Sequence, residues 1–197
     1  MVKLNILFKI SCFITIAFAS ELDLNTKMPE QDLTLLNING EQLSLNDIKG
    51  DKGTVVIFSS NTCPWVIRWE DRYVKIANKF ADKGISVIAV NSNSARFNGQ
   101  ESLQNMKRHS NEKKYNFPYV QDTNSILARA FGATKTPHVY LFNQNERLVF
   151  KGAIDDNAED SNKVNYPYLI DAITQMLNGE DIKKPISKAM GCSIKFN

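Results

Sequence analysis

The chain has 197 residues, of which 43% are apolar and 23% charged, and its formal net charge at pH 7 is +3. This length is enough for one sizeable hydrophobic core and short for two ordinary domains. Lys3 and Lys9 are the only charged residues among the first nineteen, so the rest of the chain holds 22 basic and 21 acidic side chains. Such a balance lacks the basic excess of nucleic-acid-binding domains, and we expect no nucleic-acid partner.

The N-terminal segment has the pattern of a secretory signal peptide. Lys3 precedes a largely apolar run over residues 4–18, and the run ends in a small-x-small sequence, Ala-Phe-Ala. Lys9 interrupts the run and leaves an apolar stretch of about half the ~20 residues that a membrane span needs. We therefore predict that residues 1–20 are a signal peptide, and that the protein is exported, periplasmic or secreted, without stable membrane insertion after cleavage.

The cysteine count follows from this prediction. Cys12 lies inside the apolar run and would be removed with it. The mature chain would then hold Cys63 and Cys192 in an oxidising compartment, where disulfides persist.

The first predicted elements are a hairpin, a strand and a helix. Short apolar segments at 33–36 and 42–45 flank Asn39-Gly40, a dipeptide that favours a tight turn. The β-branched run 54–58 predicts a strand buried on both faces. From 64 to 83 the apolar side chains recur at spacings of three and four, which predicts an amphipathic helix that Gly84 ends.

The remaining chain alternates strands and helices before an antiparallel hairpin and a last helix. The predicted elements are a strand at 85–90, a helix at 100–115, a strand at 117–120, a helix at 124–131, strands at 136–142 and 147–152, and a helix at 168–177. This order predicts an α/β fold with a central mixed sheet and an N-terminal β-hairpin extension. We assign residues 21–179 to one domain and 180–197, which show no periodicity, to an extended C-terminal tail.

Cys63 lies where the first central strand has ended and the long helix begins. Pro64 occupies the first helical position, where its missing N–H has no cost. Unpaired amides and the helix dipole favour a thiolate at such a position, and can lower a cysteine pKa from ~8.5 to between about 3.5 and 7.5. This placement predicts a reactive thiol, and an oxidoreductase role predicts that the thiol is solvent-reachable.

Two sequence segments resemble the thioredoxin-like superfamily. TVVIFSSNTCPWV is similar to the strand and CxxC helix start of thioredoxin, and KTPHVYLF, some 70 residues later, is similar to its cis-proline loop. The resemblance implies a thioredoxin-like three-layer sandwich in which Pro137, after Thr136 and before His138, is the cis-proline beside the reactive sulfur.

The longer spacing between strands resembles the alkyl hydroperoxide reductase and thiol-specific antioxidant (AhpC/TSA, redoxin) branch. CPWV and the tail GCSIKF are similar to a peroxiredoxin-like subgroup with a single CPxV cysteine. Val66 replaces the second CxxC cysteine of thioredoxin. Ser60 lies three residues before Cys63, as the hydroxyl does in the PxxxTxxC motif of peroxiredoxins, but Val56 stands at the proline position. Arg68 and Arg147 are candidates for the peroxide-binding arginine.

The leading hypothesis is a thiol-dependent oxidoreductase, peroxiredoxin-like or exchanging disulfides. It would act on a protein disulfide or a peroxide and receive electrons from a thiol donor, without a cofactor or metal. Cys63 would be the nucleophile, Cys192 on a mobile tail a possible resolving thiol, and Pro137 part of the substrate groove. The supporting residues of this predicted site are Ser60, Pro64, Trp65, Thr136 and His138.

Alternatives remain open at the level of the sequence. Cys192 is equally consistent with a free thiol, a link to another chain or a structural disulfide. A non-catalytic thioredoxin-fold module that binds a partner protein, or Cu(I) through cysteine, Met190 and His138, is the second hypothesis. Trp65 and Trp69 are interpreted as core or rim packing. The charged sequence around His109 and the runs Lys113-Lys114 and Asp155-Asp156 are interpreted as solvated surface.

Overall fold

A seven-stranded mixed sheet forms the centre of the computed structural model, which describes residues 20–197. The strands are β1 (Leu35–Asn37), β2 (Gln42–Leu43), β3 (Gly53–Ser59), β4 (Ile85–Asn91), β5 (Tyr119–Gln121), β6 (Lys135–Thr136), β7 (His138–Asn143), β8 (Leu148–Gly152) and β9 (Cys192–Ser193). Of these nine strands within residues 20–197, all but β6 and β9 belong to this sheet. The helices are α1 (Leu45–Ile48), α2 (Pro64–Phe80), α3 (Leu103–Glu112), α4 (Ile126–Phe131) and α5 (Tyr168–Leu177). Residues 1–19 of the predicted signal peptide lie outside the described part of the chain.

The sheet order is β2-β1-β5-β4-β3-β7-β8, with β3, β4 and β5 parallel and the other neighbours antiparallel. β3 lies near the middle and all seven of its residues are buried, as its unbroken β-branched run predicts. Val55 and Ile57 face the layer that holds α2 and α5, whereas Val56 and Phe58 face the layer that holds α4. The sheet is therefore covered on both sides, and the predicted α/β architecture with a central mixed sheet is confirmed.

The structure shortens or divides several predicted elements. α3 is shorter than the predicted helix at 100–115, because Ser102 caps its N-terminus and the chain leaves helical geometry at Lys113. The predicted strand at 136–142 is two strands, β6 and β7, because Pro137 has no N–H to offer a ladder and separates them. The last helix, α5, has the predicted bounds.

The C-terminal tail is docked along the domain rather than free. Ile186 forms a parallel bridge with Lys151, and β9 pairs with β6 in a separate two-stranded ladder. Beyond β9, Ile194 is buried in the α4-side core and its N–H donates to the carbonyl of Thr134. The tail is thus anchored on both sides of Cys192.

Candidate active site

Cys63 occupies the N-cap position of α2, at the end of the loop that follows β3. Its backbone is extended, with φ −77° and ψ 120°, and Pro64 begins the helix. The thiol donates a hydrogen bond to the carbonyl oxygen of Thr136, at a distance of 3.0 Å. The side chain is only 3% exposed, so the predicted position of the thiol is correct and the predicted solvent access is wrong.

The β6–β9 ladder covers this thiol and brings Cys192 to it. Thr136 pairs directly with Cys192, and the Thr136–Pro137 peptide bond is cis, as the resemblance implies. Because the carbonyl of Thr136 also accepts the hydrogen bond of the Cys63 thiol, this pairing brings Cys192 close to Cys63. The two cysteines, both reduced, are therefore neighbours at the N-terminus of α2.

The tail backbone approaches β6 closely at Gly191. A Cβ at this position would overlap the carbonyl oxygen of Thr136. This is the carbonyl that accepts the Cys63 hydrogen bond. A glycine before Cys192 thus permits the approach that places the two sulfur atoms together.

The two thiols have different environments. Burial, together with the hydrogen bond to Cys63, raises the pKa of Cys192 to about 11. Cys192 therefore remains a protonated thiol near neutral pH and can donate a hydrogen bond to the sulfur of Cys63.

A buried carboxylate, that of Glu101, lies beneath the loop before Cys63. Its Oε1 accepts hydrogen bonds from the hydroxyls of Ser60 and Thr62, at 2.6 and 2.7 Å. Its Oε2 accepts hydrogen bonds from the backbone N–H of Asn61 and from Asn91 Nδ2, at 2.8 and 2.6 Å. Ser60 is thus part of the site, but it contacts Glu101, a residue that the sequence analysis did not single out.

The sequence match assigns this chain to one family. Residues 24–151, more than half of the chain, match the sequence profile of the AhpC/TSA family. The chain belongs to the AhpC/TSA family. The match confirms the predicted redoxin branch of the thioredoxin-like superfamily.

A curated relative and two solved structures are similar to this chain. The thiol-disulfide oxidoreductase ResA of Halalkalibacterium halodurans is 26% identical over 118 residues, which are 60% of this chain and 62% of that protein. The chain thus spans less than two thirds of that relative's length. A hypothetical protein from Sinorhizobium meliloti 1021 has a TM-score of 0.82 and is 30% identical, with 90% of this chain and 97% of that chain covered. The thioredoxin domain of a thiol-disulfide oxidoreductase from Bacteroides vulgatus has a TM-score of 0.56 at 25% identity, with 68% and 90% covered. The fold is therefore thioredoxin-like.

At the position of the second CxxC cysteine of thioredoxin, this chain has a residue that packs in the core. Val66 is fully buried in the core between α2 and the sheet. Trp65, partly buried, stacks on the fully buried Trp69 with ring centroids 5.9 Å apart, which agrees with the predicted packing role. The tail, rather than α2, supplies the second thiol beside Cys63.

Neither candidate arginine contacts Cys63. Arg68 pairs with Glu159 at 2.7 Å and lies over the ring of Trp65. Arg147 donates to the carbonyl of Asn25. The structure therefore brings no predicted arginine to the thiol.

His138 begins β7 directly after Pro137, and its imidazole is buried. Its Nε2 lies 3.1 Å from Glu21 Oε1, and its Nδ1 lies 3.3 Å from the hydroxyl of Tyr140. The hydrogen bond with His138 and the nearby Lys151 outweigh burial and lower the pKa of Glu21. Residues 20–197 contain no group of three or more His, Cys, Asp or Glu side chains arranged to hold a metal ion.

Lys113 and Lys114 are exposed, as predicted, whereas Asp155 is buried and His109 is partly buried. His109 Nε2 lies 2.6 Å and Lys113 Nζ 2.7 Å from the carboxylate of Glu70, which is 2% exposed. Asp155 accepts hydrogen bonds from Arg72 Nε at 2.9 Å and Trp69 Nε1 at 2.7 Å. Charge runs in the sequence do not reveal these partners, because each partner lies on a different element.

Proposed function

We propose that this protein is a thiol-disulfide oxidoreductase in which Cys63 attacks and Cys192 resolves. The observation that carries the proposal is the pairing of Cys192 with Thr136, whose carbonyl accepts the hydrogen bond of the Cys63 thiol at the N-terminus of α2. The similarity to a thiol-disulfide oxidoreductase supports the same reaction class. The substrate class is a protein disulfide, and a second thiol protein supplies the reducing electrons.

The proposed reaction has two exchange steps. The Cys63 thiolate attacks one sulfur of the substrate disulfide, which forms a mixed disulfide and releases the other substrate sulfur as a thiolate that takes up a proton. The Cys192 thiol loses its proton and attacks the Cys63 sulfur. This step forms the Cys63–Cys192 disulfide and releases the second substrate thiol. A thiol donor then reduces the disulfide.

The cover over Cys63 sets a condition on the first step. The thiol is 3% exposed, and β9 lies over it. β9 contains only Cys192 and Ser193, so its separation from β6 breaks a ladder of two residue pairs. We propose that this short strand moves aside when a substrate binds.

The surroundings of Cys63 favour a disulfide over a peroxide as the substrate. Val56, at the proline position of the peroxiredoxin motif, is a buried strand residue in β3. Arg68 and Arg147, the candidate peroxide ligands, bind other groups. A peroxide substrate is therefore an outcome that the test below must distinguish.

Disulfide exchange in single-cysteine variants tests the proposal. Wild-type protein treated with oxidised glutathione is expected to form a Cys63–Cys192 disulfide, identified by peptide mass. Cys192→Ser is expected to accumulate a stable mixed disulfide at Cys63, and Cys63→Ser to lose at least 100-fold in exchange rate. Exchange that continues in Cys63→Ser would contradict the proposal. If the protein consumes hydrogen peroxide faster than it reduces the disulfide, the substrate is a peroxide and the proposed substrate class is wrong.

We also propose export of the protein, on the signal-peptide pattern of residues 1–20. Among residues 20–197, no helix has the length and apolar character required to cross a bilayer. An oxidising compartment would match a two-cysteine exchange protein. N-terminal sequencing of the protein recovered from the medium or periplasm measures the cleavage site. A mature N-terminus at Met1 would contradict export by cleavage.

A further inference from the structure

Glu101 is a completely buried carboxylate that binds the segment immediately before Cys63. Its side chain has 0% exposure, and its partners Ser60, Asn61 and Thr62 are 39 to 41 residues away in the sequence. Each of these three consecutive residues donates one hydrogen bond to the carboxylate. The whole segment between β3 and Cys63 is therefore attached to one side chain.

The same carboxylate is fixed from the opposite side by the sheet. Asn91, the last residue of β4, donates to Oε2 and also to the hydroxyl of Tyr119 in β5. The Tyr119 hydroxyl donates in turn to Asn61 Oδ1 at 2.9 Å. Burial, with a contribution from the charge of Glu101, raises the pKa of Tyr119 well above its usual value, so this hydroxyl stays protonated. Glu101 thus joins the loop to the ends of two parallel strands.

Burying the carboxylate of Glu101 costs free energy, and a loop with a purely structural role does not need a buried carboxylate. Its four side-chain contacts come from neutral donors, and among residues 20–197 no lysine, arginine or histidine forms an ion pair with it. A buried carboxylate without a cation is expensive, and an ionised carboxylate satisfies four donors only if all four are held in place. The arrangement is therefore rigid, and it ends one residue before the Cys63 thiol.

We propose that Glu101 is a positioning residue for Cys63. By holding residues 60–62 it fixes the start of α2, and so keeps the Cys63 thiol against Thr136 and within reach of Cys192. Positioned groups react with a much higher effective concentration than free ones. The role rests on the proposed function, since it serves formation of the Cys63–Cys192 disulfide.

Three variants distinguish a positioning role of Glu101 from a contribution to folding stability alone. Glu101→Gln replaces one acceptor oxygen with an NH₂ group, which faces two of the donors. Thr62→Val removes a single donor at nearly constant volume. Glu70→Gln removes a carboxylate of similar burial that holds α2 to α3 and touches neither the 60–62 loop nor Cys63.

The readout is the equilibrium constant of the Cys63–Cys192 disulfide against glutathione, measured below the melting temperature of every variant. We expect a loss of at least tenfold in Glu101→Gln, about threefold in Thr62→Val and less than twofold in Glu70→Gln. An unchanged constant in Glu101→Gln, with a lowered melting temperature, would overturn the proposal. If Glu101→Gln fails to fold, an unchanged constant in Thr62→Val would overturn it.

A second readout keeps this inference separate from the proposed function. If the wild-type protein forms no Cys63–Cys192 disulfide, the proposed function fails, and alkylation of Cys63 by iodoacetamide in a Cys192→Ser background tests Glu101 alone. We expect alkylation at least fivefold faster when Glu101→Gln is added, because the released loop no longer holds the thiol against the Thr136 carbonyl, beneath the β6–β9 ladder. Equal rates with and without Glu101→Gln would overturn the role of Glu101.

Discussion

At the level of single residues, the fold brings together two thiols that are far apart in the sequence and gives them different surroundings. Cys63 caps a helix with its sulfur against a backbone carbonyl, and Cys192 lies beside it with a pKa raised to about 11. A resolving thiol with a raised pKa reacts through the small fraction that is ionised. The second exchange step is therefore the one that we expect to depend on pH.

The first prediction concerns this pH dependence. After reaction of Cys63 with 5,5′-dithiobis(2-nitrobenzoate), attack by Cys192 releases a second nitrothiolate, which is followed by its absorbance. Burial, the largest cause of the raised pKa of Cys192, does not depend on a free Cys63 thiol, so we expect the rate of this release to rise by up to about tenfold per pH unit between pH 7 and 9. Cys192→Ser is the control, in which the second release is absent. A rate that levels off below pH 9 would contradict the raised pKa.

At the level of elements, α2 is fixed on both flanks by buried polar contacts. Glu70 joins it to α3 through His109 and Lys113, and Asp155 joins it to the segment after β8 through Arg72. Burial opposes ionisation of Glu70, but its contacts with His109 and Lys113 outweigh burial and hold the pKa of Glu70 below its usual value. α2 is therefore attached to its neighbouring elements by ion pairs as well as by apolar packing.

The second prediction tests the α2–α3 contact. Glu70→Gln is expected to lower the free energy of unfolding by about 1–3 kcal/mol near pH 7, because His109 and Lys113 lose a buried, charged acceptor. Since folding lowers the pKa of Glu70, its contribution is complete above pH ~4.5 and disappears as the pH falls through the lower folded-state value. The stability difference between wild type and Glu70→Gln should therefore shrink in acid, as measured by urea unfolding at several pH values.

Glu112→Gln is the matched control for this experiment. Glu112 ends the same α3 helix, but it is exposed and lies 4.0 Å from Arg108. Such surface pairs contribute little, and we expect a change of less than about 0.5 kcal/mol. An effect of Glu112→Gln as large as that of Glu70→Gln would show that the burial of Glu70 is unimportant.

At the level of the whole molecule, the tail completes the site from outside the central sheet. Residues after α5 return along β8, pair with β6 through β9 and insert Ile194 into the α4-side core. The tail was predicted to be extended and mobile, and the structure shows it docked. Its docking places Cys192 beside Cys63 and covers the Cys63 thiol at the same time.

The third prediction concerns this docking. Ile194→Ala is expected to lower the free energy that holds the tail on the domain by about 2–5 kcal/mol, since it removes a buried side chain. We also expect faster alkylation of Cys63, because β9 separates from β6 more often. Ile186→Ala, on the same tail at 56% exposure, is the control and should leave both properties nearly unchanged. Equal alkylation rates in the two variants would show that Ile194 does not hold the cover in place.

Features that depend on neighbouring residues were predictable from the sequence. A β-branched run located β3, the period of apolar side chains located α2, and Pro64 at the junction placed Cys63 at the N-terminus of that helix. The resemblance added the loop of Pro137. These predictions succeed because strand period, helix period and capping are local properties of the chain.

Contacts between distant segments are visible only in the folded chain. They include the pairing of Cys192 with Thr136 beside Cys63, the Glu101 contacts to the 60–62 loop, and the partners of His109 and Asp155. A charged side chain has the same local pattern whether it meets solvent or a buried partner. Its role is set by the elements that pack against it, and the packing follows from the whole core rather than from any single segment.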